Sequence, residues 1–352
     1  MEYKTVRDIK FKDQTILVRV DYNVPIKDGK ITDDFRIRAS LPTLEFLRKG
    51  GAKKIILISH LGRPEGRDKS LSLKPVAEAL EKMLPDVSFV DDVSGPDVEA
   101  VVARLKDGGI LLLENLRFYS GEEDNSDEFI REIIESTGAG IYVQDGFAVV
   151  HRAHASTEVV ANHLPVYAGL LLEKEINNLE KATKNPVRPL LLIIGGAKVD
   201  DKKPLIDKFA KFADQIVVGG KIAADGYKAS EKIYVAEDFD KDGSGAKLDV
   251  GPISMAKVAG FITDAKTIIW NGLMGKAEDP AYATASTIVA EMMGEREDAE
   301  TLVCGGDTTG FVENLMAEHK NLQYSLISTG GGAALEFLLG KELPGLAVIE
   351  TK

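Results

Sequence analysis

Short, uniformly apolar runs alternate with amphipathic stretches along almost the whole chain. The runs lie at Thr15–Val20, Lys54–Ser59, Gly109–Leu113, Ile141–Val143, Leu190–Ile194, Gln215–Val218, Thr267–Trp270, Thr301–Val303 and Tyr324–Ile327, and most are rich in Ile, Val and Leu. Strands without polar alternation are buried on both faces, and helical stretches between them supply the crossovers. The pattern therefore predicts βαβ units and an α/β fold of parallel sheets covered by helices. Residues 169–182 carry a long helical pattern, and Lys184-Asn-Pro-Val-Arg-Pro189 then punctuates the chain before a new βα series begins at Leu190. This reading gives an N-terminal domain at 1–168, a connector helix and hinge at 169–188, a C-terminal domain at 189–335 and a terminal segment at 336–352. The acidic, glycine-bearing stretch Glu237–Gly245 reads as a solvated loop.

A chain of 352 residues exceeds what one hydrophobic core normally serves, in keeping with two domains. Its composition, 44% apolar and 28% charged, excludes a disordered protein. The net charge of −12 argues against a general binder of nucleic acid or anionic membranes, so any anion must be met by locally concentrated positive charge. A single cysteine, Cys304, permits no intramolecular disulfide and fits a reducing compartment. The N-terminal residues mix both charge signs without a signal-like apolar core, and no apolar run approaches membrane-spanning length. A soluble, cytoplasmic protein is expected.

Open parallel sheets bind ligands beyond the carboxyl ends of their strands, so the residues just after each run carry the functional signal. In the N-terminal half these are cationic. Arg19 and Asp21-Tyr-Asn23 close the first run, His60-Leu-Gly-Arg63 the second, and Glu114-Asn-Leu-Arg117 the third; Asp145 and His151-Arg152-Ala-His154 follow the fourth, and Arg36 opens a helix. One such arginine is ordinarily a surface charge. Their recurrence at one sheet edge predicts a focused site for a small anion, since the arginine fork grips carboxylate and phosphate bidentately.

In the C-terminal half glycine replaces arginine. The strand ends read Gly195-Gly-Ala-Lys198-Val-Asp-Asp-Lys202, Gly219-Gly220, Asn271-Gly272, Gly305-Gly306-Asp307-Thr308 and Gly330-Gly-Gly332. Glycine turns let a ligand approach bare backbone N–H groups, and a helix N-terminus carries about half a positive charge, so a phosphate-binding face is expected. Lys198 and Lys202 are spaced to share a helix face. Asp307 suits Mg²⁺, which takes one or two carboxylates plus phosphate oxygens, although a helix N-cap is the commoner role of such an aspartate. The absence of GxxxxGK[ST] and GxGxxG argues against a P-loop enzyme and a dinucleotide enzyme of the usual pattern.

Together the stretches VRVDYNVP, SHLGRP, LLENLRF, HRAHAS, AGLLLEKEI, GGAKVDDK, DVGP, WNGLMG, GGDT and STGGGAALEFLLGKELPG resemble the phosphoglycerate kinase family, in that family's order and over nearly the whole chain. The resemblance implies two Rossmann-like domains joined by a hinge, with the last residues, 336–352, packing back on the N-terminal domain. It implies binding of 3-phosphoglycerate or 1,3-bisphosphoglycerate by Arg19, Asp21, Asn23, Arg36, His60, Arg63, Arg117 and Arg152. Mg-ATP or Mg-ADP is implied at Gly195, Gly196, Lys198, Lys202, Asn271, Glu278, Asp307 and Thr308, with Glu278 on the ribose and Asp307 on Mg²⁺. Arg36, Lys198, Gly331 and Gly332 are then the expected catalytic groups, acting on the phosphoryl group in line after domain closure. A cytoplasmic monomer without nucleic-acid or membrane partners is also implied.

The departures from the family's pattern all fall on the nucleotide side. Leu273 stands where proline is usual, Cys304 replaces a glycine, Lys221 interrupts a glycine-rich strand end, Asp200 replaces a small residue, and the interval from Gly220 to Asp249 is markedly short. Fewer walls around the base predict weaker discrimination between adenine and guanine. Two readings follow, an active kinase with a trimmed C-terminal domain and a non-catalytic binder. The retention of every residue expected to meet transition-state charge favours the first.

Overall fold

The computed structural model describes residues 3–319 and 321–352. The chain forms two compact units, one of residues 1–174 with 342–352 and the other of residues 175–341. The returning segment thus begins at Glu342.

The first unit is built on six strands: β1 (Thr15–Arg19), β2 (Lys54–Ile58), β3 (Val87–Phe89), β4 (Gly109–Leu112), β5 (Ile141–Gln144) and β6 (Val166–Ala168). They lie in the order β3-β4-β2-β1-β5-β6, and every neighbouring pair is parallel. All carboxyl ends therefore share one edge. Ile16, Leu17 and Val18 are fully buried, as the run of apolar residues requires of a central strand covered on both faces. Helix α1 (Phe35–Lys49) packs Ile37, Leu44 and Leu47 into the same core. Each such aliphatic side chain contributes about 1.5–3 kcal/mol on burial.

The second unit repeats the plan with β7 (Leu190–Ile194), β8 (Gln215–Val218), β9 (Ile233–Val235), β12 (Thr267–Asn271), β13 (Glu300–Cys304) and β14 (Leu326–Ile327) in the parallel order β9-β8-β7-β12-β13-β14. Between them, β10 (Phe239–Lys241) and β11 (Lys247–Val250) form an antiparallel hairpin. This corrects the expectation of a loop at 237–245. The acidic residues there have structural work: Asp238 Oδ1 accepts from Ser254 N–H at 2.7 Å and Oδ2 from Ile253 N–H at 2.9 Å, satisfying donors of the helix Pro252–Asp264, while Asp242 closes the hairpin turn by accepting from Ser244 and Ala246 N–H. Helix α2 (Leu170–Lys184) runs through the division between the units.

Two candidate anion sites

The first site lies at the carboxyl edge of the first sheet. Arg19, the last residue of β1, is 1% exposed and anchored on three sides: Nε donates to Ser156 Oγ at 2.8 Å, one terminal nitrogen donates to the Val20 carbonyl at 2.6 Å, and the other meets His60 Nδ1 at 3.2 Å. Burial, then the charges of Arg19, Arg117, Arg152 and Arg36, hold the His60 pKa well below its ordinary value. His60 is accordingly neutral at physiological pH. A guanidinium can only donate, so Nδ1 is the acceptor and the ring proton sits on Nε2. Burial, followed by Arg117 and Arg152, likewise pushes His154 down to about 4.

The remaining members are positioned by short-range bonds. Arg36, from the first turn of α1, pairs with Asp21. Asn23 Oδ1 accepts from Gly62 N–H at 2.9 Å, and Arg117 donates to the Gly62 carbonyl at 2.6 Å while its Nε lies 3.1 Å from Glu123. These bonds fix the Leu61-Gly62-Arg63 turn, and Arg63 itself is exposed. Arg117 is held below its ordinary pKa by burial first and then by Arg152. Arg19, Asp21, Asn23, Arg36, His60, Arg117 and Arg152 are thus gathered at one sheet edge.

Sequence reasoning missed the counter-charge. Glu122 is fully buried; it accepts from Ser156 N–H at 3.0 Å and Ser156 Oγ–H at 2.6 Å and lies 3.9 Å from Arg19. It orients Ser156, which orients Arg19. The signal available was its position five residues after Arg117 in a chain segment already marked by ligand-type residues.

The second site is a cleft of about 490 Å³ at the carboxyl edge of the second sheet, and Gly196, Lys198, Lys202, Asn271, Glu278, Asp307 and Thr308 all line it. Three turns need glycine there. A Cβ on Gly195 would collide with the Gly272 and Leu273 carbonyls, one on Gly272 would strike the Gly195 backbone, and Gly305 has φ +95°. The strand ends are packed backbone to backbone, and their N–H groups bond within the turns, Gly195 to the Asn271 carbonyl at 3.2 Å, Gly196 to the Leu273 carbonyl at 2.8 Å and Gly272 to Thr308 Oγ1 at 2.8 Å. Helix α3 (Val199–Phe209) starts just after Lys198, and helix α5 (Gly306–Glu318) starts at the β13 turn. Both aim N-termini at the same space.

Lys202 Nζ donates to Asn271 Oδ1, and burial lowers its pKa. Because an ammonium only donates, the atom it touches is the amide oxygen, which leaves Asn271 Nδ2 as a buried donor with no hydrogen-bond partner among the described residues. An acceptor-rich ligand would satisfy it. Gly331 and Gly332 open helix α6 (Gly331–Leu338) and do not line the cleft; a Cβ on Gly331 would come within 3.0 Å of the Gly306 nitrogen, so the triple-glycine turn backs directly onto the start of α5.

Fold and sites define a two-unit α/β protein with an arginine-rich anion site on one sheet and a glycine-rich phosphate-type cleft on the other. The sequence matches the phosphoglycerate kinase family over residues 6–244 and 224–341, and the chain belongs to that family. It is 40% identical to a phosphoglycerate kinase of Dictyoglomus turgidum over 100% of both chains and 41% identical to one of Moorella thermoacetica over 99% of both. The fold is similar to that of the phosphoglycerate kinases of Coxiella burnetii (TM-score 0.80, 31% identity) and Pyrococcus horikoshii (TM-score 0.86, 27% identity), each comparison covering 98% of both chains. The Dictyoglomus alignment spans 404 positions against 352 residues here, in keeping with a shortened chain.

Proposed function

We propose that this protein catalyses reversible phosphoryl transfer between 1,3-bisphosphoglycerate and ADP, giving 3-phosphoglycerate and ATP. The observation that carries the reading is the gathering of Arg19, Arg36, Arg117 and Arg152 about His60 at one sheet edge, in a chain of net charge −12. Positive potential is concentrated where a small polyanion would bind. Arg63, Arg117 and Arg152, with His60 Nε2–H, would hold the triose phosphate. Arg36, balanced by Asp21 at rest, would turn toward the acyl phosphate.

In the second unit, Gly195, Gly196, Lys198, Lys202 and Asn271 would hold the nucleotide phosphates, Thr308 would keep the Gly272 turn in place, and Glu278 would take the ribose hydroxyls. Thr308 Oγ1 accepts from Gly272 N–H at 2.8 Å, which suits that role. Among the described residues no cluster of three or more His, Cys, Asp or Glu is placed to hold a metal, but Asp307 offers one exposed carboxylate in the cleft. That fits Mg²⁺ carried in by phosphate and water ligands, with Asp307 as its protein ligand. The metal, when bound with nucleotide, neutralises phosphate charge. The acceptor oxygen is already anionic in either direction, so no general base is needed; Lys198 and Arg36 would stabilise charge on the transferring group, joined by the N–H groups of Gly331 and Gly332, which stand beside the start of α5 outside the cleft lining, once the group leaves the nucleotide. In-line transfer requires the two ligands to meet with water excluded. No helix among the described residues is long and apolar enough to cross a membrane, and we place the protein in the cytoplasm as a monomer.

Calorimetry tests the division of labour. Arg152→Ala should weaken 3-phosphoglycerate binding and leave nucleotide affinity within about twofold, because Arg152 belongs to the first unit and every residue assigned to the nucleotide belongs to the second. The reverse pattern would overturn the assignment of sites to units.

A further inference from the structure

The cleft has two chemically different ends, and this inference rests on its being a nucleotide site. At the phosphate end stand Lys198, Lys202 and the N-terminus of α5. The sheet order, β8-β7-β12-β13, carries the cleft from there towards β8 and the hairpin strand β11, where the wall is made by Lys221, Lys247, Leu248 and Lys276. Lys221 follows β8 in helix α4 (Gly220–Ala224). Lys276 is tied to the hairpin through its backbone, which donates to the Leu248 carbonyl at 2.8 Å.

With the ribose assigned to Glu278, every remaining polar side chain at this end is a lysine. Among the described lining residues none is aromatic, and none at this end is Asn, Gln, Ser or Thr. Leu248 and Leu273 give the base an apolar contact that any base can use. Among the side chains, discrimination then comes from donors alone. Lys247 Nζ is the best fixed of them, lying 4.7 Å from the Phe239 ring centroid and donating to the Ala224 carbonyl at 3.2 Å, which leaves further N–H groups free. Lys221 is engaged with Asp225 at 2.8 Å in an exposed pair.

We propose that Lys247, assisted by Lys276, makes this cleft selective for 6-oxopurine nucleotides, those of guanine and hypoxanthine, over adenine nucleotides. Guanine and hypoxanthine present O6 and N7 side by side as acceptors, whereas adenine presents an amino donor at the O6 position. An ammonium gains charge-assisted hydrogen bonds from the first pair and meets a like donor in the second. Hypoxanthine lacks the guanine 2-amino group, so equal use of the two bases would show that the O6/N7 edge is what is read.

The test is kcat/KM for ATP, GTP and ITP with 3-phosphoglycerate, together with calorimetric affinities for ADP, GDP and IDP, on the full chain and on Lys247→Met and the Lys247→Met/Lys276→Met double variant. GTP and ITP should each exceed ATP by about tenfold, the discrimination of one good lysine–guanine contact, and the ratio should fall towards one in the variants. Equal or preferred use of ATP by the wild type would overturn the proposal while leaving the kinase reading intact, as would an unchanged ratio in the double variant. Loss of turnover with every nucleotide would overturn the kinase reading instead, and the ADP-to-GDP affinity ratio would still decide the base preference.

Discussion

Arg19 and His60 were legible as ligand-type residues because each stands at the end of an apolar run, where a charge has no structural reason to be. Glu122 was not, since it comes from the short helix Ser120–Glu123 and owes its place to Ser156, a contact across more than thirty residues. Breaking one side of a buried ionic network typically costs about 3–5 kcal/mol. Glu122→Gln should therefore lower the denaturant midpoint substantially and weaken 3-phosphoglycerate binding through a mispositioned Arg19; a variant of wild-type stability and affinity would remove Glu122 from the positioning of that site. Lys198 makes a different claim, because it is exposed and stands at the α3 N-terminus, with no side-chain hydrogen bond or ion pair among the described residues. Lys198→Ala should lose about 10²–10³ in kcat with little change in stability. Near-normal turnover would exclude it from the chemistry.

Among the elements, the central strands were read correctly, while β3, β6 and β9 were missed. These three are edge strands of three residues each. Their sequences, Val-Ser-Phe, Val-Tyr-Ala and Ile-Tyr-Val, are too short for periodicity to separate a strand from a turn or a helix end. The hairpin β10–β11 escaped for a related reason: its charges read as solvation, whereas Asp238 is spent on helix donors. The start of α2 offers a pH test. Asp145 is 1% exposed and its Oδ1 accepts from Leu171 N–H at 3.0 Å, yet burial outweighs these bonds and raises its pKa from 3.8 to about 7. Between those values the folded state binds more proton at this group than the unfolded state, so its contribution to stability falls as pH rises from about 4 to about 7 and levels off above. Asp145→Asn should remove that slope from the unfolding free energy across the same window. A variant with the wild-type slope would show that Asp145 ionises normally.

For the whole chain, composition set the frame by requiring that cationic charge be local in an acidic protein, and the structure supplies two such places, each within one unit. What could not be read from spacing was the content of the shortened interval after Gly220. It became a lysine-bearing hairpin against the cleft, and its effect on base choice depends on side-chain placement that no motif encodes. The reading of both sites stands or falls on one reaction. With folded protein, Mg²⁺ and either ATP or GTP, the measurement is nucleoside diphosphate release coupled to consumption of 1,3-bisphosphoglycerate, with and without 3-phosphoglycerate. Turnover that saturates in both substrates and vanishes when 3-phosphoglycerate is omitted is the expected result; the absence of any 3-phosphoglycerate-dependent turnover with both nucleotides would contradict the assignment and leave a binder without catalysis.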